Sequence, residues 1–354
     1  MNKPIVGITM GDPAGSGPEI TIKALADPEQ YSYCRPIVVG DVKVMEQAKK
    51  FVGREDIVIH RCEKVSDALF TPGTIDVLHL DLIEDISKFE IAKVSVEGGN
   101  AAFQCVKKVI ELAMAGEVDA TCTNALNKEA MNKALEYYHG EKSDGYTHFD
   151  GHTEIYATYT HTKKYTMMLA HHDLRVVHVS THVSLREACD RVKKDRVLEV
   201  ISIADKACRD MGIAKPRIGV AGLNPHCGEG GLFGREEIDE IAPAIEAARI
   251  AGIDAQGPIP PDTIFSKALG GWYDIVVAMY HDQGHIPLKV VGFVYDREKQ
   301  AWSAVEGVNI TLGLPIIRTS VDHGTAFDQA GTGKANELSL KNAIEYAVRF
   351  AANR

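Results

Sequence analysis

The chain has seven cysteines (34, 62, 105, 122, 189, 208 and 227) but no C-x-x-C pair. Their irregular spacing inside apolar segments excludes a disulfide framework or a zinc ribbon, and reads as reduced cytoplasmic thiols. No stretch reaches the ~18 apolar residues of a membrane span, and the opening MNKPIVGITMGDPAG has no signal-type apolar region. A soluble protein without a membrane partner is expected. Positive charge is in the minority, 39 Lys and Arg against 49 Asp and Glu, a net charge of −10. That balance argues against a nucleic-acid partner, and obliges any anionic ligand to find locally gathered cations. Repeats and low-complexity linkers are absent. So are the two common nucleotide fingerprints. GDPAGSGPE (11–19) is neither G-x-G-x-x-G nor a P-loop, and GEGGLFG (228–234) has Phe233 where a third glycine is needed. An ordinary nicotinamide-binding domain is therefore disfavoured, although another fold could still hold a dinucleotide.

What is present is a long alternation of two periodicities. The 354 residues, 45% of them apolar, can bury a large core and two lobes. Strands are expected at 4–10, 35–40, 74–80, 119–125, 217–223 and 273–280, with two more and a turn within 166–184. Helices are expected at 41–52, 97–115 and 126–135, and one long amphipathic helix at 185–212. This pattern predicts an α/β fold, with mainly parallel sheets and flanking helices. A single unit over 1–354, with two interwoven lobes around a cleft, is the expected organisation.

Three histidines lie where strand-like runs end: His182 in VVHVSTHVSL, His226 in AGLNPHCGEGG and His281 in VVAMYHDQGH. Ends of parallel strands open into one crevice, and three imidazoles suit a divalent ion with one position left for substrate. In a strand over 176–183, period two puts His178, Ser180 and His182 on one face, with His178 a hydrogen-bonded inner residue. His171 and His172 are expected in an exposed turn. In HDQGHIPLK (281–289), Asp282 is a candidate to orient a ligand or act as a base. Lys289 is a candidate to grip an anion, and His285 reads as a loop residue. Thr153 could cap a helix, with His152 facing outward. Asp12, at the end of the first strand, marks a further site candidate.

The last motif, GVNITLGLPIIRTSVDHGTAFDQAGTGKAN (307–336), is the most specific. Its HGTAFD and AGTGKAN segments resemble the nucleotide loop of isocitrate and isopropylmalate dehydrogenases. Those enzymes bind NAD(P) without G-x-G-x-x-G. GDPAGSGPEI, GHTE, LNPHCGEGGLFGREE and MYHDQG extend the likeness along the whole chain, which resembles the 4-hydroxythreonine-4-phosphate dehydrogenase family. The resemblance implies an isocitrate/isopropylmalate dehydrogenase-like fold and a homodimer sharing its active sites. It implies His182, His226 and His281 as ligands of a divalent metal (Zn, Mg, Mn or Co). It implies His152, Thr153, Lys289, Asn309 and Arg318 as substrate contacts. NAD is expected on His323, Gly324, Thr325, Asp328 and Gly331, with Asp282 and Lys289 as catalytic groups.

One segment departs from the family's vitamin B6 enzymes. VYDREKQAWSAVE (294–306) stands where they have a couple of residues. STHVSLREAC and HDQGHIPLK also look like a second branch, which resembles D-threonate or D-erythronate 4-phosphate dehydrogenases. The expected reaction is oxidation of the C3 hydroxyl of such a phosphorylated acid, then decarboxylation to dihydroxyacetone phosphate. The alternative is 4-phosphohydroxy-L-threonine oxidation in pyridoxal phosphate synthesis. A more remote one is a zinc-dependent sugar-phosphate lyase, against which the HGTAFDQAG loop speaks.

Overall fold

The computed structural model describes residues 3–138, 144–298 and 301–353. It divides into two compact units, one of residues 1–162 and 314–352, the other of 163–313 with 353–354.

The first unit runs β1 (Ile5–Thr9), α1 (Gly17–Leu25), α2 (Gln30–Tyr33), β2 (Arg35–Gly40), α3 (Val42–Val52), β3 (Val58–Cys62) and β4 (Thr74–His79). It continues with α4 (Val96–Met114), β5 (Ala120–Thr123), α5 (Lys128–Tyr137) and α6 (His152–Tyr159). The second unit contains β6 (Thr166–His171), β7 (Leu174–His178), α7 (Leu185–Asp190), α8 (Lys194–Asp210), β8 (Ile218–Ala221), α9 (Ala242–Ile250), β9 (Ala255–Ile259) and α10 (Pro261–Leu269). It ends with β10 (Ile275–Ala278), α11 (His281–Gly292), a hairpin of β11 (Phe293–Asp296) and β12 (Ala301–Val305), and β13 (Val308–Leu312). The chain then returns to the first unit for β14 (Arg318–Val321) and α12 (Leu338–Ala351).

In the first unit the strands lie in the order β3-β4-β2-β1-β5-β14, every pair parallel. The second has the order β13-β6-β7-β10-β8-β9, antiparallel across β13-β6-β7 and parallel from β7 onward. Val6, Ile8, Ile37, Val38, Val176, Val177 and Val276 are wholly buried, as strands covered by helices on both faces require. Local chemistry starts the helices. Asp41 Oδ1 accepts from Lys43 N at 2.8 Å, and Ser95 Oγ from Gly98 N at 3.0 Å. The fold is α/β with mainly parallel strand pairs, as the alternation implied.

Four local expectations are corrected. The strand expected to reach residue 183 stops at His178. Val179 N makes a last bond to Ala278 O at 2.8 Å, and Val183 N then folds back on Thr181 O at 2.9 Å. His182 is therefore on a loop. The helix expected over 185–212 is two. Glu240 pulls it apart by accepting from Lys194 N (2.7 Å) and Lys193 Nζ (3.1 Å), while Val192 turns into the core. HDQGHIPLK is the start of α11 rather than a loop. The Gln283 side chain fixes it, accepting from Met279 N at 2.7 Å and donating to Gly222 O at 2.8 Å. Thr153 is not a cap, since α6 already begins at His152 after Gly151.

Candidate active site

In the second unit β7, β10 and β8 are neighbours running the same way. Their C-terminal ends therefore open at one sheet edge, and each is followed by one of the three candidate ligands. His182 sits on the loop after β7, His281 is the first residue of α11 after β10, and His226 lies beyond β8. The His182 and His281 rings are 5.9 Å apart. Both line an open pocket of about 550 Å³ with Thr181, Leu185 and Tyr280. The three histidines do not form a single cluster of donor atoms within 4.8 Å.

Other side chains hold them in place. Asp282 Oδ1 lies 2.7 Å from His281 Nδ1. It engages that nitrogen and leaves Nε2 as the ring's other donor, the arrangement that carboxylates give metal-binding histidines. His285, one turn along α11, stacks on His281 with centroids 3.5 Å apart, and its Nδ1 faces His281 O at 2.9 Å. His178 lies beneath, 4.8 Å from His285, with Nδ1 on Met167 O at 3.3 Å. Burial pushes His178 down to about 3 and His285 to about 4, the His281 and His285 rings adding to it. The lower part of the column is therefore neutral at physiological pH.

His226 takes φ 50°, the first of five successive left-handed residues through Gly230. Three of them, His226, Cys227 and Glu229, are not glycine and would normally avoid that region, so the loop needs an anchor. Buried Glu237 supplies it, accepting from the amides of Leu223 and Asn224, each at 2.7 Å. Further along α11, Lys289 places its ammonium 4.3 Å from the centre of the Phe293 ring. Asn309 on β13 donates to Met167 Sδ at 2.9 Å.

The remaining candidates belong to the first unit. Arg318 opens β14 and is 3% exposed. Its Nη2 donates to Thr123 Oγ1 at 3.0 Å, and its guanidinium lies 5.6 Å from the Tyr156 ring centre. Burial lowers its pKa to about 10, so it remains a cation at neutral pH. His152 has a shielded Nε2 with no hydrogen-bond partner. Burial, then Arg318 and Lys128, hold its pKa well below the usual value. It does not face outward. A neutral imidazole beside a buried guanidinium is suited to an anionic ligand's oxygens.

The 323–336 loop is clamped from beneath by α1. Glu19 accepts from Gly331 N at 2.5 Å with one oxygen and from Gly333 N at 2.6 Å with the other. Lys23, one turn on, donates to Ala335 O at 2.7 Å, and Ser16 N to Thr325 O at 2.9 Å. Gly331 and Gly333 have φ of 79° and 69°, which glycine adopts without strain. Gly324 and Asp328 lie exposed on the open side of the loop. His323 Nδ1 is 2.8 Å from Gly324 O.

Sequence reasoning missed Glu19, Glu237 and the stacked setting of His285, while His178 is the hydrogen-bonded inner residue that the strand period implied. The signal for His285 was its i+4 spacing from His281, which only a helix makes meaningful. Glu19 and Glu237 act on backbone amides far along the chain, which no local pattern announces.

The α/β chain thus presents a glycine-containing loop clamped by α1, a buried guanidinium at Arg318 and a histidine-lined pocket, features an oxidoreductase of phosphorylated acids can use. Comparison with known proteins agrees. Residues 32–347 match the family described as "Pyridoxal phosphate biosynthetic protein PdxA". The chain is 46% identical over 347 residues to "D-threonate 4-phosphate dehydrogenase" of Pectobacterium atrosepticum, covering 98% of this chain and 99% of that one. It is 46% identical over 351 residues to the protein of the same name from Salmonella typhimurium, covering 99% and 100%. A solved 4-hydroxythreonine-4-phosphate dehydrogenase from Klebsiella pneumoniae superposes with TM-score 0.83 at 42% identity, covering 99% and 100%. The class is that of the dehydrogenases. The chain belongs to the PdxA family.

Proposed function

We propose that this chain oxidises the C3 hydroxyl of D-threonate 4-phosphate or D-erythronate 4-phosphate with NAD, and that decarboxylation follows to give dihydroxyacetone phosphate. The observation that carries this reading is the 46% identity, over 98% of the chain, to a D-threonate 4-phosphate dehydrogenase. Bound by His182, His226 and His281, a divalent cation would supply Lewis acidity toward the substrate oxygens. NAD on the 323–336 loop would accept the hydride.

The chain's own residues support both. Asp282, 2.7 Å from His281 Nδ1, orients that imidazole, a role its geometry favours over that of general base. Neutral His178 and His285 back His281 without adding positive charge beside a bound cation. Arg318, kept cationic by its pKa of about 10, binds a phosphate or carboxylate in a chain of net charge −10. Lys289, two turns along α11 from His281, is the second anion-binding candidate. Seven unpaired thiols suit the cytoplasm.

The runner-up substrate is 4-phosphohydroxy-L-threonine, favoured by the names of the solved relatives at 42–43% identity. The two differ at C2, hydroxyl against ammonium, and a polar pocket matched to one rejects the other. The test compares kcat/KM for D-threonate, D-erythronate and 4-hydroxy-L-threonine 4-phosphates, followed by reduced-nicotinamide absorbance. One of the two non-amino acids is expected to lead by at least roughly tenfold, about 1.4 kcal/mol of transition-state preference. A tenfold lead for the amino acid assigns the chain to the other branch.

A further inference from the structure

We propose that His171, His172 and Glu306 form a second divalent-metal site, of the zinc class, at the foot of the β11-β12 hairpin. It shares no residue with the His182, His226 and His281 set and stands whether or not that set binds a metal.

The three side chains come together through an unusual backbone. His171 is the last residue of β6, and His172 begins the turn into β7 with φ 49°. In regular strand the two side chains would point to opposite faces. The left-handed φ at His172 breaks that alternation, and a non-glycine residue rarely adopts it without a reason. The two rings end up edge to face with centroids 4.4 Å apart. Glu306 arrives from the far end of the hairpin, its amide donating to Gly292 O at 3.3 Å. Glu306 Oε2 lies 3.1 Å from His172 Nε2 and 3.8 Å from His171 Nδ1. One donor atom from each residue falls within 4.8 Å of the other two.

These separations fit an ion. Zinc bonds of ~2.0–2.2 Å at tetrahedral angles put ligand atoms roughly 3.3 Å apart, between the two measured values. A direct hydrogen bond accounts for only one of the pair. His171 Nδ1 is buried and has no hydrogen-bond partner, and the side chain is 11% exposed. Two imidazoles and a carboxylate, with water completing the shell, suit zinc rather than magnesium or calcium.

Among the described residues the other three-donor group, His60, Cys62 and Asp76, is already explained by protein contacts. Asp76 Oδ1 meets His60 Nδ1 at 2.7 Å and Leu69 N at 3.0 Å, and Oδ2 meets Phe70 N at 2.8 Å. Burial also pushes the Cys62 thiol up to about 11, against the thiolate a metal needs. The His171 site lacks such competition around its buried nitrogen. An ion there would tie the β6-β7 turn to the hairpin foot. It would also fix the end of α11, since Gly292 packs so closely that a Cβ would stand 3.1 Å from His171 Nδ1.

The test uses the full chain stripped with chelator, then dialysed against Zn²⁺, with bound metal measured by mass spectrometry. His182→Ala removes a ligand of the other proposed site and is expected to keep one tightly bound Zn²⁺ per chain. Adding His172→Ala or Glu306→Gln is expected to abolish it. His172 is 70% exposed and Glu306→Gln is isosteric, so both variants are expected to fold, which circular dichroism checks. Co²⁺ in place of Zn²⁺ should give the visible bands of a tetrahedral site in His182→Ala, lost in the double variants. The proposal is overturned if His182→Ala holds no Zn²⁺, or if its Zn²⁺ survives both second substitutions. Wild type with a single Zn²⁺ that His182→Ala removes would overturn this site while leaving the proposed active site intact.

Discussion

Asp12 shows at the scale of one residue how a site candidate costs stability. It is 1% exposed, accepts from Ala14 N at 2.9 Å with Oδ1, and has no hydrogen-bond partner for Oδ2. Burial raises its carboxyl from 3.8 to about 6, the Ala14 and Asn127 amides opposing. The folded pKa lies above the unfolded one, so the penalty is absent below pH ~4. It grows between 4 and 6 and is constant above. Keeping the carboxylate ionised at neutral pH therefore costs up to about 3 kcal/mol. Asp12→Asn should stabilise the protein at pH 7 by up to that amount, with the gain vanishing near pH 4. Chemical unfolding across that range measures it. A gain that does not depend on pH would refute the ionisation argument. A carboxylate kept at such a cost argues for use of its charge, and the opening of the GDPAG loop makes it visible in the sequence. The same cannot be said of Glu19, an ordinary acidic residue in a helical run until the fold brings Gly331 and Gly333 to it.

At the scale of elements, α11 departs furthest from its local sequence. Pro287, Gly284 and two histidines make 281–289 read as a loop, since glycine and proline are poor in a helix interior. Packing overrides that preference. A Cβ on Gly284 would stand 2.4 Å from His178 Nε2 and 2.7 Å from Val176 Cγ1, so glycine is what lets the helix lie on β7. Gly284→Ala should destabilise the chain by about 1–3 kcal/mol, the cost of overpacking a filled core. It should also lower kcat, because the displaced helix carries His281. Thermal unfolding and turnover of the same variant check both, and an unchanged melting midpoint would remove the packing account. The 185–212 segment breaks in two for a related reason. Its amphipathic period continues through Val192, but Glu240, 46 residues ahead of Lys194, caps the second half separately.

For the whole molecule, the histidine geometry bears on assembly. His182 and His281 approach each other within one chain, whereas the three histidines do not converge there. Ile286 and Val290, one turn apart on α11, are 59% and 75% exposed, and Val294 beyond them is 50% exposed. Exposed apolar side chains of this kind suit a protein partner, and we propose that the partner is a second copy of this chain in a homodimer with shared sites. Inactive subunits carrying His226→Ala, mixed with His182→Ala or with His281→Ala, should then recover up to about a quarter of the wild-type activity, half the dimers being hybrid with one intact site each. The mixture of His182→Ala with His281→Ala should stay inactive, because those two ligands share a chain. No recovery in any pair, with subunit exchange demonstrated, would remove the shared site.

Strand order aside, the α/β class and most elements were legible in the chain itself. Buried parallel strands read as short β-branched runs, amphipathic helices as a 3.6-residue period, and both signals are local. The candidate residues were legible as motifs, because GHTE, NPHCGEGG, YHDQG and the 307–336 segment keep their chemistry contiguous. What the tertiary structure alone decided depends on partners distant in sequence. It ended β7 at His178, turned HDQGHIPLK into a helix, and set His152, its Nε2 shielded, beside Arg318. It also hung the 331–335 backbone on Glu19 and Lys23, and brought Glu306 to His171 and His172. In each case a hydrogen bond or close contact from another element outweighed a local preference of about 1 kcal/mol, and no window of sequence contains both partners.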